Sequence, residues 1–160
     1  FVYGSLLWFY SHKLSKIVLI RELMASFLTV LVFFSLVIYY QVMSLPFFLY
    51  GMSLFLMLFA REIHKDIIGM KGDVVQGYES IATRIGPEMS QRIFQVILIF
   101  SLIVDAVFLW VNTKPEFFYI LGGIAILKTI MLILIEHNTK PIHRLLQLSM
   151  LLYILGIAWL

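Results

Sequence analysis

The sequence predicts an all-α, polytopic transmembrane helical bundle of about six membrane segments. Three observations carry that expectation. First, 62% of the 160 residues are hydrophobic and only 13% are charged, against roughly 45–50% and about 25% in a soluble domain. Second, the mean hydropathy is +0.99. Third, the apolar residues gather in long runs rather than in the roughly 10-residue alternating strands of a β-barrel, and a backbone that must satisfy its own hydrogen bonds in hydrocarbon is helical. This composition excludes disorder, a soluble α/β enzyme and, with no Cys, a disulfide scaffold. A net charge of +3 is too small a surplus for a nucleic-acid module.

The first run, Phe1–Tyr10, would cover only about half of a ~30 Å hydrocarbon core at ~1.5 Å per residue. It reads as a cut through a helix, and residues 1–160 as a single transmembrane domain that is incomplete at its N-terminus. Leu23–Tyr40 is the second run. Pro46–Ala60 is the third, and its proline sits at a helix start, where a missing N–H costs little. Ile93–Val111 and Phe117–Ile135 follow, and Leu145–Leu160 closes the chain after Pro141. The two shortest runs can be extended into the interface by their flanking residues.

Positive charge sorts by side. Lys13, Lys16, Arg21, Arg61, Lys65, Lys71, Arg84, Arg92, Lys140 and Arg144 fall in or beside the first, third and fifth connections, whereas Lys114 alone falls in the others. The positive-inside rule then places the odd connections in the cytoplasm and the C-terminus outside. The expected location is an integral protein of a prokaryotic inner membrane. Asp105 and Lys128 lie inside apolar runs, where a lone charge costs about 2.5–3.5 kcal/mol on insertion scales. They read as an interior pair, or as charges that snorkel to the interface, rather than as an ion pathway.

One connection carries chemistry. Residues 61–92, read as a cytoplasmic loop, hold five of the 12 basic residues and five of the nine acids. Glu62, Asp66 and Asp73 stand at offsets 0, +4 and +11, one face of a helix if the helix runs on past Ala60. Gly69 occupies the +7 place. Stacked carboxylates repel, and a hard cation such as Mg²⁺, which favours a few carboxylates with phosphate oxygens and water, relieves that repulsion. Arg61, Lys65 and Lys71 interleave as candidate diphosphate partners. A solvated loop of alternating charges is the competing reading of the same residues.

The stretch R-E-I-x-K-D-x-x-x-x-x-G-D-x-x-x-G, Arg61 to Gly77, resembles the second aspartate motif of the UbiA superfamily of intramembrane prenyltransferases. It is most similar to the geranylgeranylglycerol-phosphate geranylgeranyltransferase branch. Ser80-Ile81-Ala82 with Ile85-Gly86, and Tyr10-Ser11-x-x-Leu14 before an apolar run, extend the resemblance over nearly the whole chain. The six runs would match that family's helices four to nine. The resemblance implies a Mg²⁺-dependent transferase that moves a polyprenyl group from its diphosphate to a small acceptor. It implies Asp66 and Asp73 as catalytic, Glu62, Asp66 and Asp73 as metal ligands, and Arg61, Lys65 and Lys71 on the diphosphate. Expected partners are a prenyl diphosphate, a small acceptor, the lipid bilayer and other membrane proteins, with no nucleic acid. Gly69 stands where the motif has Asp, Arg21-Glu22 where it has Gly-Asn, and the first-half N-x-x-x-D-x-x-x-D motif is absent from these residues. A catalytically inactive partner subunit on the same scaffold is therefore the alternative.

Overall fold

The computed structural model describes residues 2–12, 17–112, 115–135 and 140–157, and among them every regular element is an α-helix. They are α1 (Val2–His12), α2 (Ile20–Tyr39), α3 (Leu45–Gln76), α4 (Ile81–Ile85), α5 (Pro87–Val111), α6 (Pro115–Leu134) and α7 (Lys140–Ile157). Lys13, Leu14, Lys16 and Lys114, used in the sequence reading, lie outside the described residues, as do Phe1 and residues 158–160 of the last run.

Local chemistry sets the helix ends. Pro46 opens α3 and Pro87 opens α5. Gly77 stops α3 at φ 69°, a left-handed value that a side chain would oppose. Its N–H bonds the Val74 carbonyl at 3.3 Å and the Tyr78 N–H bonds the Asp73 carbonyl at 2.9 Å, a Schellman stop. Ser80 and Thr83 then form a reciprocal capping box that starts α4.

The span count is lower than expected. Four helices are long and apolar enough to cross a membrane (α2, α3, α5 and Glu116–Leu134 of α6), with a shorter apolar one at Pro141–Ile157. The first run forms α1, at 11 residues too short to count among them. The molecule is thus a helical bundle of four to five candidate spans, fitting an integral membrane protein. The loop expected over 61–92 is mostly helix, because α3 does run past Ala60. Its 32 residues make about 48 Å at ~1.5 Å rise, well beyond the hydrocarbon core.

Packing follows a lipid-facing pattern. Along α5, Val96, Phe100, Ile103 and Val107 are exposed at helical spacing, while Phe94, Leu98, Ser101, Asp105 and Phe108 are buried. The buried centre is aromatic. Tyr50 packs on Phe108, Phe117 and Tyr153 at ring distances of 5.8, 6.3 and 5.5 Å. A Cβ on Gly156 would strike the Tyr50 hydroxyl, so glycine there lets Tyr50 reach the Tyr153 carbonyl at 2.5 Å.

Beside this cluster sits a closed polar knot. Lys128 Nζ donates to Asp105 Oδ2 at 2.5 Å, Ser101 Oγ at 2.7 Å and the Tyr153 hydroxyl at 2.8 Å. Ser53 donates to the other Asp105 oxygen. Lys128 is 0% and Asp105 2% exposed. The interior pair expected from sequence is thus formed, and it gathers α3, α5, α6 and α7. Removing one partner of such a pair leaves an uncompensated buried charge. Lys128→Met is expected to destabilise the bundle by about 3–5 kcal/mol in SDS titration from mixed micelles. Lys128→Met with Asp105→Leu should recover much of that loss.

Candidate functional site

The polar extension of α3 and the start of α2 enclose a cavity of about 330 Å³ lined by Tyr10, Arg21, Glu22, Ala25, Glu62, Lys65, Asp66, Asp73, Gln76 and Tyr78. Because α3 stays helical to Gln76, Glu62, Asp66, Asp73 and Gln76 share its inner face. Of the sequence-derived site residues, Glu62, Lys65, Asp66 and Asp73 meet at this cavity. Arg61 and Lys71 belong to α3 but do not line it, and Lys71 is exposed.

Arg21 is the organiser. Its Nε donates to Glu22 Oε1 at 2.7 Å, and its Nη2 lies 2.5 Å from that oxygen and 3.1 Å from Asp66 Oδ2. Its Nη1 donates to the Glu79 carbonyl at 3.4 Å. Asp66 Oδ2 also accepts from the Ile81 N–H at 3.3 Å, which ties the turn after α3 back onto it. Lys65 pairs with Glu62 at 3.0 Å, but its side chain is 69% exposed, so this pair adds little.

Burial, together with the neighbouring Glu22 carboxylate, pushes the Asp66 carboxyl up to about 6, against the pull of Arg21. An exposed Asp sits near 3.9. The Asp66 contribution to stability is therefore fully present below about 4 and is lost as the pH rises through about 6. Asp73 is half-buried and makes no ion pair among those formed by the described residues. Glu22 is 2% exposed, and its Oε2 has no hydrogen-bond partner.

The lining sets two cations, Arg21 and Lys65, against four carboxylates, Glu22, Glu62, Asp66 and Asp73, a net −2 when all are ionised. Such a cavity attracts cations. Among the described residues no three His, Asp or Glu side chains form a group that could hold a metal ion. Mg²⁺ that arrives with a phosphate ligand needs only one or two carboxylates. The orphaned Glu22 oxygen and the uncompensated charge fit that mode of binding. A Cβ on Gly69 would meet only the Asp73 carboxylate oxygens, at 3.8 and 3.9 Å, so nothing steric requires glycine there.

Sequence reasoning noted Glu22 only as part of a departure from a motif, and Arg21 as that and as one of the basic residues beside the first connection. Their role at the cavity depends on α2 packing against α3 more than 40 residues away, and the available signal was two adjacent charges at the mouth of an apolar run. A second cavity of about 480 Å³ is lined by Phe33, Leu36, Val37, Tyr40, Val42, Phe47 and Ile157. It lies toward the opposite end of α2 and shares no lining residue with the polar one.

Comparison of the chain with protein-family models, curated proteins and solved structures finds no match.

Asp66→Ala is expected to cost about 1–3 kcal/mol, because it leaves the Ile81 N–H without its acceptor and takes one of two carboxylates from the Arg21 guanidinium. Asp66→Asn keeps an acceptor oxygen and should recover part of that loss in the same detergent unfolding measurement.

Proposed function

We propose that this chain is part of an intramembrane transferase that moves a polyprenyl group from its diphosphate to a small acceptor. The observation that supports this most is the cavity that gathers Glu62, Lys65, Asp66 and Asp73 with Arg21 at one end of an apolar bundle. An amphiphile with a charged head and a greasy tail suits that setting. In the reaction, the allylic C–O bond breaks and the diphosphate leaves with the bonding electrons. The acceptor's nucleophilic atom bonds to the same carbon and gives up its proton. Charge accumulates on the departing diphosphate, so donors placed at its oxygens lower the barrier. Arg21 and Lys65 are the cations of the cavity lining able to do this. Mg²⁺, implied by the resemblance to the UbiA superfamily, would add charge neutralisation at the same oxygens, held by carboxylates of the lining. Asp66 orients Arg21 and closes the turn at Ile81, while Asp73 is left available to a cation. The apolar groove at Phe33 and Phe47 is suited to a hydrocarbon tail.

A second reading is a catalytically inactive UbiA-like partner subunit of a membrane complex. The ties from Arg21 to both Glu22 and Asp66 favour it, since they engage carboxylates that a fully open metal site would leave free.

The proposed orientation puts the cavity and the end of α3 in the cytoplasm of a prokaryotic cell, with the C-terminus outside, on the positive-inside rule. Because the native chain has no Cys, single cysteines report side cleanly. Val75→Cys, at a position 86% exposed, should react with an impermeant maleimide only in inside-out vesicles; labelling in intact spheroplasts reverses the topology.

Activity is tested by diphosphate release from geranylgeranyl diphosphate in the presence of acceptor lipids, with and without Mg²⁺. Release should depend on Mg²⁺ and fall at least about a hundredfold in Asp73→Asn, equivalent to ~2.7 kcal/mol of barrier. Absence of release, with stable copurification of another membrane protein that Asp73→Asn does not disturb, selects the partner-subunit reading.

A further inference from the structure

We infer that Glu22 is a direct ligand of a divalent cation of the Mg²⁺ class, bound between α2 and α3 with Asp66 as its companion carboxylate. Three features of the cavity lead there. Glu22 is almost wholly buried, yet its Oε2 has no partner. A buried carboxylate oxygen without a donor is costly, and in native proteins such an atom calls for a missing ion or water. Second, Glu22 Oε1 and Asp66 Oδ2 lie 2.5 and 3.1 Å from the same Arg21 Nη2, so the two carboxyl groups are neighbours that share a single guanidinium. Third, Arg21 takes Glu22 Oε1 and Asp66 Oδ2, so Glu22 Oε2 remains for another cation.

This is the division of labour seen around bound metals, where outer partners fix the orientation of the ligating carboxylates. Arg21 acts as that outer partner. It holds both carboxylates in place without occupying the oxygen that ligates. A hard cation fills the rest of its coordination with water or phosphate oxygens, and a cavity of about 330 Å³ leaves room for both. The phosphate side of this site rests on the transferase reading; the ion itself does not.

The test uses the whole chain in detergent micelles with Mn²⁺ alone as the probe, read by electron paramagnetic resonance at neutral pH. Wild type should bind Mn²⁺ and release it to excess Mg²⁺. Glu22→Gln should weaken binding about tenfold or more, and Glu88→Gln, away from the cavity, should leave it unchanged. Glu22→Asp, which keeps the charge on a shorter arm, should bind with intermediate strength, and circular dichroism confirms that each variant is folded. Should Glu22→Gln misfold, Glu22→Asp alone decides, because full retention of wild-type binding in it overturns the proposal. Undiminished Mn²⁺ binding by folded Glu22→Gln overturns it too, as does no displaceable Mn²⁺ in wild type up to millimolar concentration. Mn²⁺ held through Glu22 without any diphosphate release keeps this site while sinking the transferase reading. Diphosphate release that persists alongside unchanged Mn²⁺ binding in Glu22→Gln does the opposite.

Discussion

The bundle depends on the buried pair of Lys128 and Asp105. In water, apolar faces drive helices together, but lipid tails are as apolar as Leu, so between membrane helices packing and polar contacts have to do that work. α6 illustrates the problem. Its apolar residues run all the way round, and their distribution gives it no preferred rotation. Lys128 supplies one, since its ammonium meets Asp105 and Ser101 on α5 and Tyr153 on α7, while Ser53 of α3 joins at Asp105. The Tyr50–Phe108–Phe117–Tyr153 cluster packs against this knot, and dispersion then holds what the charge pair has oriented.

Fixing α3 in the bundle also fixes the site. That helix is longer than a hydrocarbon core is thick, so its second half projects as a polar rod with a carboxylate face. Left alone, it would be the solvated charge run that forms the bland reading of 61–92. It becomes one wall of a cavity because α2 starts beside it and delivers Arg21 and Glu22. The cap at Gly77, the Ser80–Thr83 box and the bond from the Ile81 N–H to Asp66 fold the following turn back to close the space. Arg21 touches each of these parts: its own helix, Asp66 of α3 and the carbonyl of Glu79 in the turn. The charged part of the site is therefore a property of α2 and α3, closed by a turn and by Tyr10 of α1, and charge balance within it governs what it can bind.

A net negative cavity at the end of an apolar bundle reconciles two facts that pull apart. Four carboxylates line one cavity, yet three of them, Glu22, Glu62 and Asp66, are already engaged by arginine or lysine. Partial engagement lowers self-repulsion without removing the attraction for a further cation. The polar cavity and the apolar groove are lined from opposite ends of α2.

The sequence by itself determined the class of the molecule: the apolar excess and the need for internal hydrogen bonding in lipid leave only a helical bundle. It also determined the face shared by Glu62, Asp66 and Asp73, because helical spacing is local. It marked about six apolar runs, of which, among the described residues, four form helices long and apolar enough to cross a membrane and a fifth forms the shorter apolar helix at Pro141–Ile157. It made residues 61–92 a loop because charge there outweighs the helical spacing, although the helix continues to Gln76. Only the tertiary structure decided that Arg61 and Lys71 stand outside the cavity and that Arg21 and Glu22 stand inside it. Which charges meet is set by how helices distant in the chain pack together, and that is a relation no local pattern records.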